Sequence, residues 1–113
     1  PLGLVVVDMV GEKGLEIPME PLSLRYAHDW TQAIFERAGD LGLGAFVPVP
    51  GRPTHDDHVP FLRLGIPAVD LIDFEYSVWH TENDVPEACS PESLGEVGTL
   101  LLDLVRRPPR VAP

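Results

Sequence analysis

Cysteine is nearly absent from this chain: Cys89 is the only one in 113 residues. No intrachain disulfide can form, and the redox compartment is left open. Lysine is as scarce. Lys13 stands alone with seven arginines, and 18 Asp and Glu against 8 basic residues leave a net charge of −10. This lack of positive charge argues against nucleic acid and anionic membrane surfaces as partners. No apolar run approaches ~18 residues, so no membrane span is expected. His-Glu-x-x-His and paired cysteines are both missing, so no zinc motif is complete by spacing alone. There is no internal repeat and no low-complexity tract. Proline, by contrast, is plentiful, and 13 residues of it are too many for a helix bundle. Hydrophobic residues at 44% and charged residues at 23% are ordinary for a globular domain. The length suits one domain with a modest core, not two.

The chain opens on Pro1-Leu2-Gly3 without Met and runs straight into Leu4-Val5-Val6-Val7. No basic n-region or small-residue cleavage site precedes this run, so it is not a signal peptide. A buried-type strand so early raises the expectation that an N-terminal portion is missing.

Leu4 to Val10 is apolar except for Asp8 and reads as a strand buried on both faces. Residues 15–21 hold Pro18 and Pro21 and read as an extended loop. From Ser23 the pattern turns helical: Ala27, Trp30, Ile34, Ala38 and Leu41 form one stripe, with Ser23 as N-cap and Gly42 or Gly39 as the stop. Ala45 to Val49 reads as a short strand, Asp57 to Leu64 as a short helix, and Ile66 to Ile72 as a second buried-type strand. Ser90-Pro91 opens a last helix with Leu94, Val97, Leu101 and Leu104 on its apolar face. Arg106 and Arg107 suit its negative end. Residues 108–113 read as a disordered tail, leaving 1–107 as one unit. The alternation of strand and helix implies an α/β layer fold.

In open α/β sheets, functional groups gather past the carboxyl ends of strands. Three places fit: Asp8, the run His55-Asp56-Asp57-His58, and Trp79-His80-Thr81. Each offers carboxylate or imidazole, the groups that bind zinc and move protons. Each also has a plainer reading. Asp8 at a strand end is equally a solvated residue, though an Asp inside an apolar strand is costly unless paired or coordinated. Asp70 and Asp73 share that ambiguity, with Asp70 the more buried by pattern. One Asp of the His55–His58 run is accounted for as a helix cap, but not both, and adjacent carboxylates raise one another's pKa. His80 and His28 read as surface histidines, and Trp79 as partial core. Residues 54–87 hold eight acids and one base, Arg63. That is a solvated acidic face or a pocket built for a cation.

Three ordered segments nevertheless resemble a known family. They are Asp8-Met9-Val10-Gly11, the run from Asp56-Asp57-His58-Val59-Pro60-Phe61 through Gly65-Ile66-Pro67-Ala68-Val69, and Trp79-His80-Thr81-Glu82-Asn83-Asp84. Together they resemble the C-terminal half of the M28 zinc aminopeptidases, and within these the glutaminyl cyclases (glutaminyl-peptide cyclotransferases), over about residues 3–107. Asp56 in place of serine, and Trp79 before His80, favour the cyclase branch.

The resemblance implies part of a three-layer α/β/α sandwich with a mixed, mostly parallel sheet, the phosphorylase/hydrolase-like zinc exopeptidase fold. It makes His80 a zinc ligand and Trp79 a wall of the substrate pocket. Asp8 and Asp56 become a hydrogen-bonded acid pair beside the substrate amine. In two-zinc aminopeptidases the position of Asp8 instead serves the second metal. Asp57 and His58 are implied to cap the short helix and brace its loop, and Thr81 and Asp84 to brace theirs. Asp70 stands where animal cyclases carry a pocket-shaping His, so it is a substrate-binding candidate with altered preference. The family's other zinc ligands, an Asp and a Glu, and its general-base Glu lie upstream of the matched segments.

The implied reaction is cyclisation of N-terminal Gln to pyroglutamate with release of ammonia. Zn2+ (one, or two) would act as Lewis acid, and the substrate would be a peptide or amino acid with a free N-terminus. Aminopeptidase hydrolysis is the alternative within the family. A non-catalytic fragment or interaction module, pairing with another copy or with a missing portion, is the alternative outside it. As a 113-residue chain the protein is expected to be inactive and to bind zinc weakly. Secretion or a periplasmic location is implied only by the resemblance.

Overall fold

The computed structural model describes residues 3–11, 13–73 and 90–111. Their elements run β1 (Leu4–Asp8), β2 (Ile17–Met19), α1 (Pro21–Tyr26), α2 (His28–Asp40), β3 (Phe46–Pro50), α3 (Val59–Arg63), β4 (Ala68–Ile72) and α4 (Pro91–Arg106). β1 pairs with β4 in parallel, placing Val6 opposite Asp70 and Asp8 opposite Ile72. β2 pairs with β3 in parallel, with an irregularity between Ile17 and Met19. Parallel pairing needs long crossovers, and the helices between the strands supply them. The expected α/β class with parallel strands is therefore the observed one.

Every residue of β4 is buried. β1 is not buried on both faces as expected: Leu4, Val5 and Val6 are half-buried, and Val7 and Asp8 are exposed. Among the described residues β1 has one neighbouring strand, so its far edge stays open.

The core gathers Ile17, Ile34, Leu71 and Leu100, all fully buried. Phe35 meets Phe46 edge to face, with ring centroids 6.0 Å apart and planes at 78°, a favoured aromatic geometry. The stripe Ala27, Trp30, Ile34, Ala38 faces this core as its spacing predicted. Trp30 also ties α2 to the sheet, since its indole Nε1 donates to the Leu4 carbonyl at 3.0 Å. At the other end, Arg37 reaches across to α4 and donates to Asp103 Oδ2 and the Arg107 carbonyl, each at 2.8 Å.

Five further expectations need correction. The helix over 23–41 is two helices, broken at Ala27, whose φ of −142° and ψ of 54° leave the helical region. Its N-cap is Glu20 rather than Ser23, with Pro21 opening the helix, because the fixed φ of proline suits the first turn. The loop expected over 15–21 contains β2, where Ile17 donates to the Ala45 carbonyl at 2.7 Å. Pro18 is tolerated there because, among the described residues, β2 pairs with β3 alone and keeps one edge unpaired. On α4 the buried stripe is Ser93, Val97, Leu100 and Leu104, while Leu94 is exposed. Val97 and Leu104 are buried as expected and Leu101 packs against the core, so the expected face fails only at Leu94, in whose place Ser93 and Leu100 turn inward. Beyond α4, Pro109 is buried and Val111 packs on the core, so the described part of the tail is docked.

Other stops follow local chemistry. Gly42 adopts a φ of 71° after α2, and Leu43 then donates to the Ala38 carbonyl at 3.0 Å, a glycine-dependent helix end. Ser90 caps α4 by accepting from the Ser93 amide, with Pro91 following it as its sequence implied.

Gly3 makes a close approach that a side chain would block, since a Cβ there would lie 2.6 Å from Cε2 of the buried Trp30 ring. Gly3→Ala should cost about 1–3 kcal/mol, the usual cost of overpacking, read as a lowered urea midpoint. An unchanged midpoint would mean that the β1–α2 contact is looser than described.

Candidate active site

The site grows from a turn, a loop and a strand. Asp8 ends β1, and Met9 directly after it has a φ of 54°. A non-glycine residue in the left-handed region is uncommon and tends to mark a constrained functional segment. Asp70 lies in the middle of β4 and is 0% exposed. Asp56 sits in the loop before α3, where its Oδ1 accepts the Asp57 amide at 2.8 Å.

These three carboxyls meet. Asp56 lies close enough to Asp8 and to Asp70 to raise the pKa of each. Carboxyl groups this near one another favour a state in which one holds a proton. Among the described residues no hydrogen-bond donor serves Asp56 Oδ2 or either oxygen of Asp70. Burial, followed by the charge of Asp56 and then those of Glu20 and Asp8, pushes Asp70 up to about 8. Asp8 is also raised, first by partial burial and then by Asp56. The cluster therefore keeps a proton at neutral pH that an ordinary carboxylate would have lost.

A fourth carboxyl behaves in the opposite way. Glu20 is 1% exposed. It accepts the amides of Leu22 at 2.7 Å, Ser23 at 2.9 Å and Thr54 at 3.1 Å. The Ser23 hydroxyl at 2.9 Å and His58 Nε2 at 2.7 Å complete the set. Burial alone would raise Glu20, but these hydrogen bonds, His58 foremost, outweigh it and hold the group at about 2. The Ser23 Oγ also accepts the Asp70 amide at 3.0 Å, linking α1 to β4.

His58 keeps half of its implied role: its contact with Glu20 braces the loop, but it does not cap the helix. It occupies the N-cap position of α3 but makes no side-chain cap bond. Its ring is 0% exposed and turned inward between Glu20 and Asp70. Asp57 is exposed and only its amide is engaged. Sequence reasoning missed Glu20 altogether. The available signal was Pro21, which favours the first helical position and so marks its predecessor as a cap.

The candidates Trp79 and His80, with Thr81 and Asp84, lie outside the described residues. Among the described residues no group of three or more metal-ligating side chains forms. A cavity of about 410 Å³ is lined by Leu22, Tyr26, His55, Val59, Leu62 and Arg63, and none of the three aspartates lines it. His28 is exposed as expected.

Comparison with known proteins gives a consistent set. The sequence profile of peptidase family M28 matches residues 3–105. A glutaminyl-peptide cyclotransferase of Boiga dendrophila is 28% identical over 107 residues, covering 86% of this chain and 29% of that protein. The crystal structure of Fimbriiglobus ruber glutaminyl cyclase superposes with a TM-score of 0.84 at 36% identity, covering 88% of this chain and 34% of that one. A zinc-dependent exopeptidase from Parabacteroides distasonis gives 0.85 at 30% identity, covering 90% or more (94%) of this chain and 39% of that one. The chain thus spans less than two fifths of these relatives.

The raised carboxyl has a consequence for stability. Asp70 keeps its proton in the fold up to about 8, against 3.8 when unfolded. Its contribution is fully present below the unfolded value and is lost as pH rises through the folded one. Glu20, with its pKa lowered from 4.5 to about 2, acts in a separate acidic window. Urea midpoints should therefore fall as pH rises from about 5 to about 8, and Asp70→Asn should flatten that slope. A slope that survives the substitution would place the buried proton elsewhere.

Proposed function

The chain belongs to peptidase family M28, and from that premise we propose that it supplies the carboxylic-acid side of a glutaminyl-cyclase active site. The observation that favours this reading is the convergence of Asp8, Asp56 and Asp70, with Asp70 fully buried beside the other two acids. The 36% identity to a glutaminyl cyclase structure of matching fold supports it.

Cyclisation of an N-terminal glutamine forms one C–N bond and breaks another. The α-amine attacks the γ-carbonyl carbon, and the side-chain nitrogen leaves as ammonia. One proton must pass from the attacking nitrogen to the leaving one. Nucleophile and electrophile belong to the same residue, so proximity supplies much of the acceleration. What the protein adds is a group able to accept one proton and give one back near neutral pH.

In this reading Asp8 and Asp56 face the substrate amine. Asp8 is at the exposed mouth and Asp56 is half-buried behind it. Asp70, fully buried, stores the proton. Their negative charge also favours an ammonium terminus, which suits a substrate with a free N-terminus. Trp79 is proposed as a wall of the pocket and His80 as a zinc ligand. The described residues alone do not make a metal site. Zinc held by His80 and residues outside this span would polarise the γ-carbonyl. On this reading the 113-residue span by itself is inactive.

The test uses the full gene product and a Gln-initiated peptide. Pyroglutamate with stoichiometric ammonia is the expected outcome, and Asp56→Asn should lower kcat by about 10²–10⁴, the usual worth of a proton-transferring group. Release of a free amino acid instead would assign the protein to the exopeptidase branch. Full turnover by the 113-residue span alone would overturn its proposed inactivity.

A further inference from the structure

The proposed chemistry uses the three aspartates and leaves His58 without a task. Yet His58 is one of the most deeply buried polar side chains described, at 0% exposure. Its two nitrogens have very different surroundings. Nε2 lies 2.7 Å from Glu20 Oε1. Nδ1 lies 3.6 Å from Asp70 Oδ2 and has no hydrogen-bond partner among the described residues. That separation is beyond a hydrogen bond. Asp70, equally buried, has no donor or acceptor partner at that oxygen either. Buried polar atoms without partners are rare and costly, and here two of them face each other.

We propose that His58 is a positioning residue: Glu20 fixes it in the Nε2–H tautomer so that the bare Nδ1 faces Asp70 and accepts a hydrogen bond from the proton that Asp70 carries. Glu20 is the anchor. Its carboxylate takes three backbone amides and a hydroxyl besides the imidazole. A group so surrounded by donors is ionised and can only accept, so the hydrogen of the short contact belongs to His58 Nε2. A neutral imidazole with hydrogen on one nitrogen has a lone pair on the other. That lone pair faces Asp70, a fully buried carboxyl favoured to hold a proton. A hydrogen bond from a protonated Asp70 to Nδ1 would satisfy both of these buried atoms.

The groups that face Asp70 are accounted for element by element. Asp8 comes from β1, Asp56 and His58 from the segment before α3, and Glu20 from the start of α1. Of these, His58 alone is not an acid. It is therefore the one neighbour that can accept a hydrogen bond from the Asp70 carboxyl without itself carrying a negative charge. Glu20 anchors it from behind, and Ser23 holds both Glu20 and the Asp70 backbone.

This inference rests on the reading of the three aspartates as the proton-handling group, but it has a readout of its own. In the 15N-labelled full gene product at neutral pH, the His58 ring should show a protonated Nε2 and a bare Nδ1. A protonated Nδ1, an imidazolium or a tautomer average would overturn the proposal, whether or not the protein cyclises glutamine. Activity gives the second arm. His58→Gln keeps a donor for Glu20 and removes the atom facing Asp70. We expect kcat to fall by about ten- to a hundredfold with KM nearly unchanged, as for loss of a group that orients a reacting one. An unchanged kcat in a folded His58→Gln protein would reduce His58 to a structural brace and defeat the inference. If that variant does not fold, the ring spectrum of the wild type decides.

Discussion

One buried negative charge organises this structure. An ionised carboxylate in the interior is tolerable only when donors surround it, and Glu20 recruits them from α1, from the loop at Thr54 and from His58. Those segments are far apart in sequence. Satisfying one carboxylate therefore fixes where the first helix starts, how the loop before α3 folds back and which way the imidazole turns. Through Ser23 the same group reaches the backbone of β4. The cost of leaving this charge unpaired is what makes these placements mutually dependent.

Beside it stands a carboxyl with the opposite fate. Asp70 is as buried as Glu20, but its side chain has acids and an imidazole for neighbours instead of amide donors. The two residues show how burial acts in either direction. It forces neutrality where no donor is near, and strong acidity where donors are abundant. A fold that holds both states within one cluster separates a fixed charge from a movable proton. Such divergence is the usual mark of acid–base machinery.

The chain belongs to family M28 and spans under two fifths of the relatives it matches. Fold alone does not decide between cyclisation and hydrolysis. A left-handed Met9 directly after Asp8 marks this strand end as a constrained position, and constraint of that kind suits a side chain held at an active-site mouth.

Much was legible in the sequence. Apolar runs and helical spacing gave β4, α2, α4 and the parallel α/β class, because burial of apolar faces imposes those periods whatever the partner. The motif at Asp56–His58 and the isolated Asp8 and Asp70 pointed to chemistry because carboxylates in apolar surroundings are costly. Local pattern failed where a long-range contact took over. Ser23 looked like a cap, yet its hydroxyl serves Glu20 and β4, and the cap is Glu20 itself. Leu94 fitted the helical stripe, but packing against the core turned Leu100 inward. The sequence by itself determined which residues must be hidden and which acids would be hard to hide. Only the tertiary structure decided which acid kept its charge and which kept a proton, because that depends on donors brought together across the chain.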